Sequence, residues 1–285
     1  MIRFTVPETI EEINVRNFLR RHCEVSERLL RRLKQTENGI TCNGQLMKST
    51  DILHGGDCLL LRTEESGSDI LPVNLPVSIV YEDSSIIVWN KPPGMPVHPV
   101  HDHQNDTLAN AARFHADQTG EVYPFRAVNR LDKDTSGLVL TAKTRYAAGF
   151  LPGHVQKTYL ALCEGLITED GTINAPIRLK PGHTIQREVG EGGIAAVTHY
   201  TVVGHYESQY TLLRLTLETG RTHQIRVHMS SVGHPLAGDD MYGGSRERFP
   251  RQCLHCSGMS LIHPETREQC CFQADIDFFR ECSVQ

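Results

Sequence analysis

Residues 127–144 read AVNRLDKDTSGLVLTAKT, and the rest of the chain is best read outward from them. A polar cluster (Asn129, Arg130, Asp132, Asp134, Thr135, Ser136) runs through Gly137 into the apolar run Leu138–Ala142. A short apolar run behind a glycine predicts a strand, with the polar cluster in the turn before it. An Asp in such a turn commonly caps it by accepting backbone N–H groups. A carboxylate at the mouth of a strand can also do chemistry, and these residues alone leave both roles open. Asp132 and Asp134 could form a D-x-D metal pair, but no third carboxylate or His stands at ligand spacing nearby.

Around this block, strand-like runs alternate with short helices. Ser78–Tyr81, Ile86–Asn90, Thr158–Glu164, Ala196–Val203 and Tyr210–Thr216 are candidate strands. Leu108–Gln118 and Thr222–Val232 are candidate helices, the second with Ile225, Met229 and Val232 as its buried stripe. The loop lengths do not suit a regular parallel βαβ sheet, so the fold class expected is α+β.

Residues 1–66 read as a separate unit. A strand at Ile2–Val6 leads into a helical stretch from about Thr9, and a second helix begins after Ser26, a suitable N-cap. Asn38-Gly39 and Asn43-Gly44 are turn dipeptides around a short strand, and Asp57–Arg62 closes the unit. The polar run EESGSD marks a linker, giving boundaries of 1–66, 67–75 and 76–285.

The chain has 285 residues, 39% of them hydrophobic, and a net charge of −5. That total gives no support to nucleic-acid binding, which depends on local charge. From Val15 to Lys34, however, seven cations face two anions, a net +5 in twenty residues. Arg28, Arg31 and Arg32 fall at i, i+3 and i+4, on one helix face opposite Leu29, Leu30 and Leu33. Such a face can follow a phosphate backbone or can simply be solvated. The N-terminus lacks the apolar core of a signal peptide, and no run is long enough to span a bilayer. Nine scattered cysteines then fit reduced thiols in a cytosol, so the localisation expected is cytoplasmic. Zinc is not expected. His223 and His228, five apart, point roughly 140° apart on a helix, and the C-x-x-C at Cys253 and Cys256 has no second copy.

The 127–144 block resembles the R-L-D-x-x-T-S-G signature of the RluA-type RNA pseudouridine synthases. Three further segments resemble that family in the same order: NKPPGMPVHP (90–99), KTYLALCEG (157–165) and GRTHQIRVHMSSVGHPLAGDDMYG (220–243). The terminal LHCSGMSLIHPET also fits, so the resemblance covers about residues 76–280. The order of elements over residues 9–63 resembles an S4 RNA-binding domain. The sequence departs from the family pattern at Asn129, where His is usual, at Cys256, where Ala is common, and at Arg267, where Gly is common.

The resemblance implies a small N-terminal S4-like domain followed by a catalytic domain on a mixed, largely antiparallel sheet. It implies isomerisation of uridine to pseudouridine in RNA, with large-subunit ribosomal RNA the expected substrate. A transfer-RNA synthase and a catalytically silent assembly factor are the alternatives. Asp132 maps to the nucleophile and Arg226 to the arginine that pairs with it. Tyr159 maps to the active-site tyrosine, whose ring can stack on uracil and whose hydroxyl lies where the C5 proton leaves. Arg130 maps to an arginine that fills the gap left by a flipped-out nucleotide. Lys91 and His98 are assigned to the RNA face, together with Arg28, Arg31 and Arg32. The isomerisation involves no redox change or energy input, so no cofactor is expected. Structured RNA is the expected partner, and the chain is expected to be a monomer.

Overall fold

The computed structural model describes residues 1–63, 65 and 67–279. A large mixed sheet carries the second part of the chain. Its main path runs Gly171–Asn174, Val197–Tyr206, Tyr210–Leu217, Val155–Glu164, Leu254–Ile262, Ser136–Ala142, Ile86–Lys91 and Ser78–Glu82, and Gln269–Gln273 pairs off this path with Leu254–Ile262. Among the described residues, the one parallel pairing in it joins Ser136–Ala142 to Leu254–Ile262. The expected α+β class holds. Each strand expected in this region is present, within a few residues at its ends. Short runs at Gly171–Asn174 and Gln269–Gln273, and the Ile177–Leu179/Arg187–Val189 hairpin, were not anticipated.

Ser136–Ala142 is buried along its whole length, as an interior strand covered on both faces must be. Its second residue, Gly137, has φ +107°, and a Cβ there would lie 2.3 Å from the Cys256 carbonyl oxygen. The neighbouring strand therefore comes as close as it does only because position 137 has no side chain. Trp89, Ile87 and Leu140 are fully or almost fully buried in the main core, and Trp89 Nε1 donates to Thr141 Oγ1 at 2.9 Å. Helix Leu108–Thr119 packs on this core and starts at a capping box between Thr107 and Asn110.

The N-terminal part has its own four-stranded sheet, in the order Ile2–Thr5, Cys58–Leu61, Ile40–Cys42, Gln45–Leu46. Helix Glu27–Gln35 covers it with Leu29, Leu30 and Leu33, and Ser26 Oγ accepts from Leu29 N–H as the sequence suggested. The helical stretch expected from about Thr9 is shorter. Ile13–Asn14 pairs with Ile52–Leu53 as a two-strand ribbon, and Asn14 caps a helix that runs only from Val15 to His22, its last five residues in π geometry.

Tyr146, from helix Arg145–Phe150, is buried in the N-terminal core, and its hydroxyl donates to the Cys23 carbonyl at 2.7 Å. Arg267 Nη2 donates to the same carbonyl at 3.0 Å and to Tyr146 Oη at 2.7 Å, while its guanidinium lies 4.2 Å from the Phe150 ring. Arg267 has φ +64°, a left-handed conformation that suits the glycine common there. Here the side chain at that turn ties the N-terminal unit to the large sheet.

Candidate active site

Asp132 sits in the turn leading to Ser136–Ala142, and its carbonyl accepts from Thr135 N–H at 3.1 Å. The turn is held from below by Ser136 and His255, which face each other across the parallel strand pair. Ser136 Oγ is 2.8 Å from His255 Nδ1, and His255 Nε2 donates to the Ala274 carbonyl at 2.9 Å. Arg251 Nη2 also donates to Ser136 Oγ at 3.2 Å, and its Nη1 to the Asp134 carbonyl at 3.0 Å. The Asp132 side chain remains 29% exposed at the floor of a cleft of about 640 Å³.

Helix Gln224–Ser231 brings Arg226 to Asp132. Arg226 Nη1 donates to Asp132 Oδ2 at 3.0 Å, and its Nε and Nη2 donate to the two oxygens of Asp239 at 2.6 and 2.8 Å. Asp239 is fully buried and Arg226 nearly so. Burial alone would weaken the guanidinium's hold on its proton. The bonds and charge of Asp239, then those of Asp132, outweigh this and raise its pKa above the ordinary value. Tyr242 lies against the other side of the group, its ring centroid 5.0 Å from Arg226 Cζ.

His223, whose spacing from His228 does not suit a metal site, lies in the cleft. It has φ +56° and opens the helix. The Tyr242 hydroxyl accepts from Arg187 N–H at 2.9 Å and shares a second hydrogen bond with His223 Nδ1, also at 2.9 Å. The other ring nitrogen, Nε2, lies 3.8 Å from Asp132 Oδ2. Burial is the main cause of a lowered His223 pKa, so the ring is neutral. Asp239 and Tyr242 were also not singled out individually. Both lie in the GDDMYG stretch, so the segment was legible although their side-chain partners were not.

Tyr159, on Val155–Glu164, is buried and lines both the cleft and a smaller cavity of about 70 Å³ beside Asp132. Burial raises its pKa well above the ordinary value; Cys256, Asp132 and a hydrogen bond to the Cys256 side chain push the same way. Tyr159 is therefore a neutral phenol at neutral pH. Arg130 is exposed at the mouth of both cavities, with no ion-pair partner among the described residues. His98 lines the cleft edge-on to Phe125, its centroid 5.1 Å away.

Other expected positions need correction. Lys91 is fully buried and does not reach an RNA face. Its Nζ donates to the carbonyls of Pro92, Met95 and Lys133 at 2.9, 2.8 and 3.0 Å, which pins the NKPPGM loop to the turn that carries Asp132. Burial lowers its pKa to about 7. Asn129, where the family usually has His, is taken up by the sheet: its Oδ1 accepts from Leu140 N–H at 2.8 Å and its Nδ2 donates to the Leu138 carbonyl at 3.2 Å, so it acts as one more unit of sheet backbone. Arg226 is buried beside the Ile225 and Met229 stripe, whereas Val232 is 46% exposed at the helix end rather than part of that stripe. Arg28, Arg31 and Arg32 share an exposed helix face, and none of them lines this cleft.

A family model described as RNA pseudouridylate synthase matches residues 85–231, which include Asp132, Tyr159, His223 and Arg226. The RNA pseudouridine synthase YhcT of Bacillus subtilis is 41% identical over 237 residues, covering 80% of this chain and 78% of that protein. Ribosomal large subunit pseudouridine synthase D of Pseudomonas aeruginosa is 41% identical over 250 residues, covering 80% and 77%. The solved structure of human RNA pseudouridylate synthase domain containing 1 superposes with a TM-score of 0.60 at 30% identity, over 77% of this chain and 90% of that one. With this fold and these matches spanning the Asp132 cleft, the chain belongs to the RNA pseudouridine synthases, isomerases that act on RNA.

Proposed function

We propose that this enzyme isomerises uridine in large-subunit ribosomal RNA, with Asp132 as the nucleophile. The observation that carries the site reading is the 3.0 Å contact between Asp132 Oδ2 and Arg226 Nη1 at the floor of the cleft. That contact fixes one carboxylate oxygen, while the side chain stays partly open to the cleft. The reaction breaks the C1′–N1 bond and forms C1′–C5. A proton leaves C5 and N1 gains one, so the balance needs no oxidant or energy source. The carboxylate assists departure of the base and is regenerated. The Tyr159 ring offers a stacking surface, and its hydroxyl takes part in removing the C5 proton. Because that phenol is neutral, it acts as a relay and not as a phenolate base. N1 and C5 are unreachable in stacked RNA, so the target is flipped out, with Arg130 filling the space it leaves.

Ribosomal RNA is favoured because relatives at 36–42% identity, in several bacteria, are named ribosomal large subunit pseudouridine synthase D. Residues 1–66 serve as an S4-like RNA-binding domain, joined by 67–75 to a catalytic domain over 76–285. In it, Arg28, Arg31 and Arg32 meet the phosphate backbone. The test is to map pseudouridines by CMC-dependent reverse transcription, in cells with and without the gene and with Asp132→Asn. A large-subunit site lost in both the deletion and the variant is expected. A site lost only from transfer RNA would overturn the substrate, and full modification by Asp132→Asn, checked for deamidation, would overturn the nucleophile.

A further inference from the structure

A second concave surface, larger than the cleft, gathers charge of one sign. It is a groove of about 850 Å³ between helix Glu27–Gln35 and helix Arg145–Phe150. Arg28, Arg31, Arg32, Arg126 and Arg145 line it, and among the described residues Glu27 is the one carboxylate in its lining. The chain as a whole is acidic, so gathering five guanidinium groups here works against Coulomb repulsion. The crowding is felt at Arg145. Burial is the main cause of its lowered pKa, Glu65 opposes it, and Arg126, Arg32 and Arg28 add to it. Glu65 pairs with Arg126 and Arg145 beneath the groove, while Glu27 reaches Arg16, Arg20 and Arg31 on its rim. Arg28 and Arg32 have no ion-pair partner among the described residues.

The two walls are fixed relative to each other. Tyr146 and Arg267 tie them together at Cys23, and a Cβ on Gly149 would lie only 3.2 Å from Ser26 Cβ and Oγ. The groove is therefore already formed before any ligand arrives. It also adjoins the cleft: Arg126 lines the groove, and the next residue, Ala127, lines the cleft. The six residues from Arg126 to Asp132 span at most about 20 Å, or about six steps of a stacked strand.

We infer that this groove is a track for the phosphate backbone of the same RNA whose target nucleotide enters the cleft, built jointly by the N-terminal helix and by Arg126 and Arg145 of the large unit. The inference rests on the RNA-binding role proposed above for Arg28, Arg31 and Arg32, and adds the opposite wall.

The test measures binding of the full chain to a fluorescein-labelled RNA hairpin with a single-stranded tail, across a range of salt concentrations. Arg126→Gln with Arg145→Gln should weaken binding and make the slope of log K against log[salt] shallower by about one and a half, the value for two lost phosphate contacts. Arg28→Gln with Arg32→Gln should do the same. Replacing Arg126 and Arg145 by Lys should retain most of the slope. Glu65→Gln breaks the same ion pairs but keeps both cations, and should leave binding as tight or tighter. If only the Arg28 and Arg32 pair matters, RNA uses the outer helix face and the groove is wrong, while the N-terminal role stands. If neither pair matters, both readings fail. If Glu65→Gln weakens binding as much as the Arg126 and Arg145 pair does, those residues act structurally and the track is overturned.

Discussion

Arg226 is bound to Asp239 through two hydrogen bonds, at 2.6 and 2.8 Å, and Asp239 is completely buried. The guanidinium that meets Asp132 is thus oriented by a carboxylate that never meets solvent. The fork geometry needs arginine, because a lysine has one nitrogen and cannot bridge both acids in fixed directions.

Asp239→Asn should leave a buried cation short of its partner. Breaking one side of a buried pair costs about 3–5 kcal/mol. Thermal melting should show that loss, and single-turnover assays on RNA should fall by about 10²-fold or more, because Arg226 no longer orients Asp132. A melting temperature and rate close to the parent would show that Arg226 is positioned by its helix alone.

Tyr159→Phe separates catalysis from packing. Cys256 lies beside the hydroxyl, and a thiol is a weak hydrogen-bonding group, so removing the hydroxyl should change stability by no more than about 1 kcal/mol. Turnover of normal uridine should fall by about 10² or more, as for a lost proton-transfer group. RNA carrying 5-fluorouridine has no C5 proton to remove, so the Phe variant should still rearrange it while Asp132→Asn should not. Parental turnover of uridine by Tyr159→Phe would leave the ring as a stacking surface only.

Lys91→Met should behave as a folding mutation. It removes the three N–H donors that hold Pro92, Met95 and Lys133, and leaves their carbonyls short of partners at a cost of roughly 3 kcal/mol. The salt dependence of RNA binding should not change, because no phosphate meets a fully buried ammonium. A shallower salt slope with a normal melting temperature would restore Lys91 to the RNA face.

Stability should fall in mild acid through His255. Burial lowers its pKa from 6.5 to about 4, so the unfolded chain binds the extra proton first. The stabilisation is complete above about pH 6.5 and is lost as pH falls toward 4, by up to about 3 kcal/mol. Its Nδ1 already faces Ser136 Oγ, which also receives Arg251, so an added proton would make the Ser136 hydroxyl give up donating to the ring and turn its own proton elsewhere. Denaturant midpoints between pH 7 and 4 should fall in the parent and flatten in His255→Gln, and nitrogen shifts of the ring should stay those of a neutral imidazole at pH 5. A charged ring at pH 6 in the folded protein would refute this.

The sequence by itself determined the local elements and the segments that carry the site. Ser26 and the Leu29, Leu30, Leu33 stripe set helix Glu27–Gln35, and the apolar run after Gly137 set the central strand, because capping and periodicity act within a few residues. The resemblance carried by RLDKDTSG, KTYLALCEG and GRTHQIR pointed to Asp132, Tyr159 and Arg226, three residues that the fold brings to one cavity. Tertiary structure decided which neighbouring polar residues face the cleft. Lys91 reads as a surface cation until Pro92, Met95 and Lys133 close around it, and Asn129 reads only as a departure from the family pattern until the adjoining strand takes both ends of its amide. Asp239 lies thirteen residues beyond Arg226, yet only the packed turn before Tyr242 brings it under the guanidinium. The reason is that a buried polar group takes whatever partner the fold supplies, and those partners come from strands and loops distant in sequence, whose side-chain directions no local pattern records.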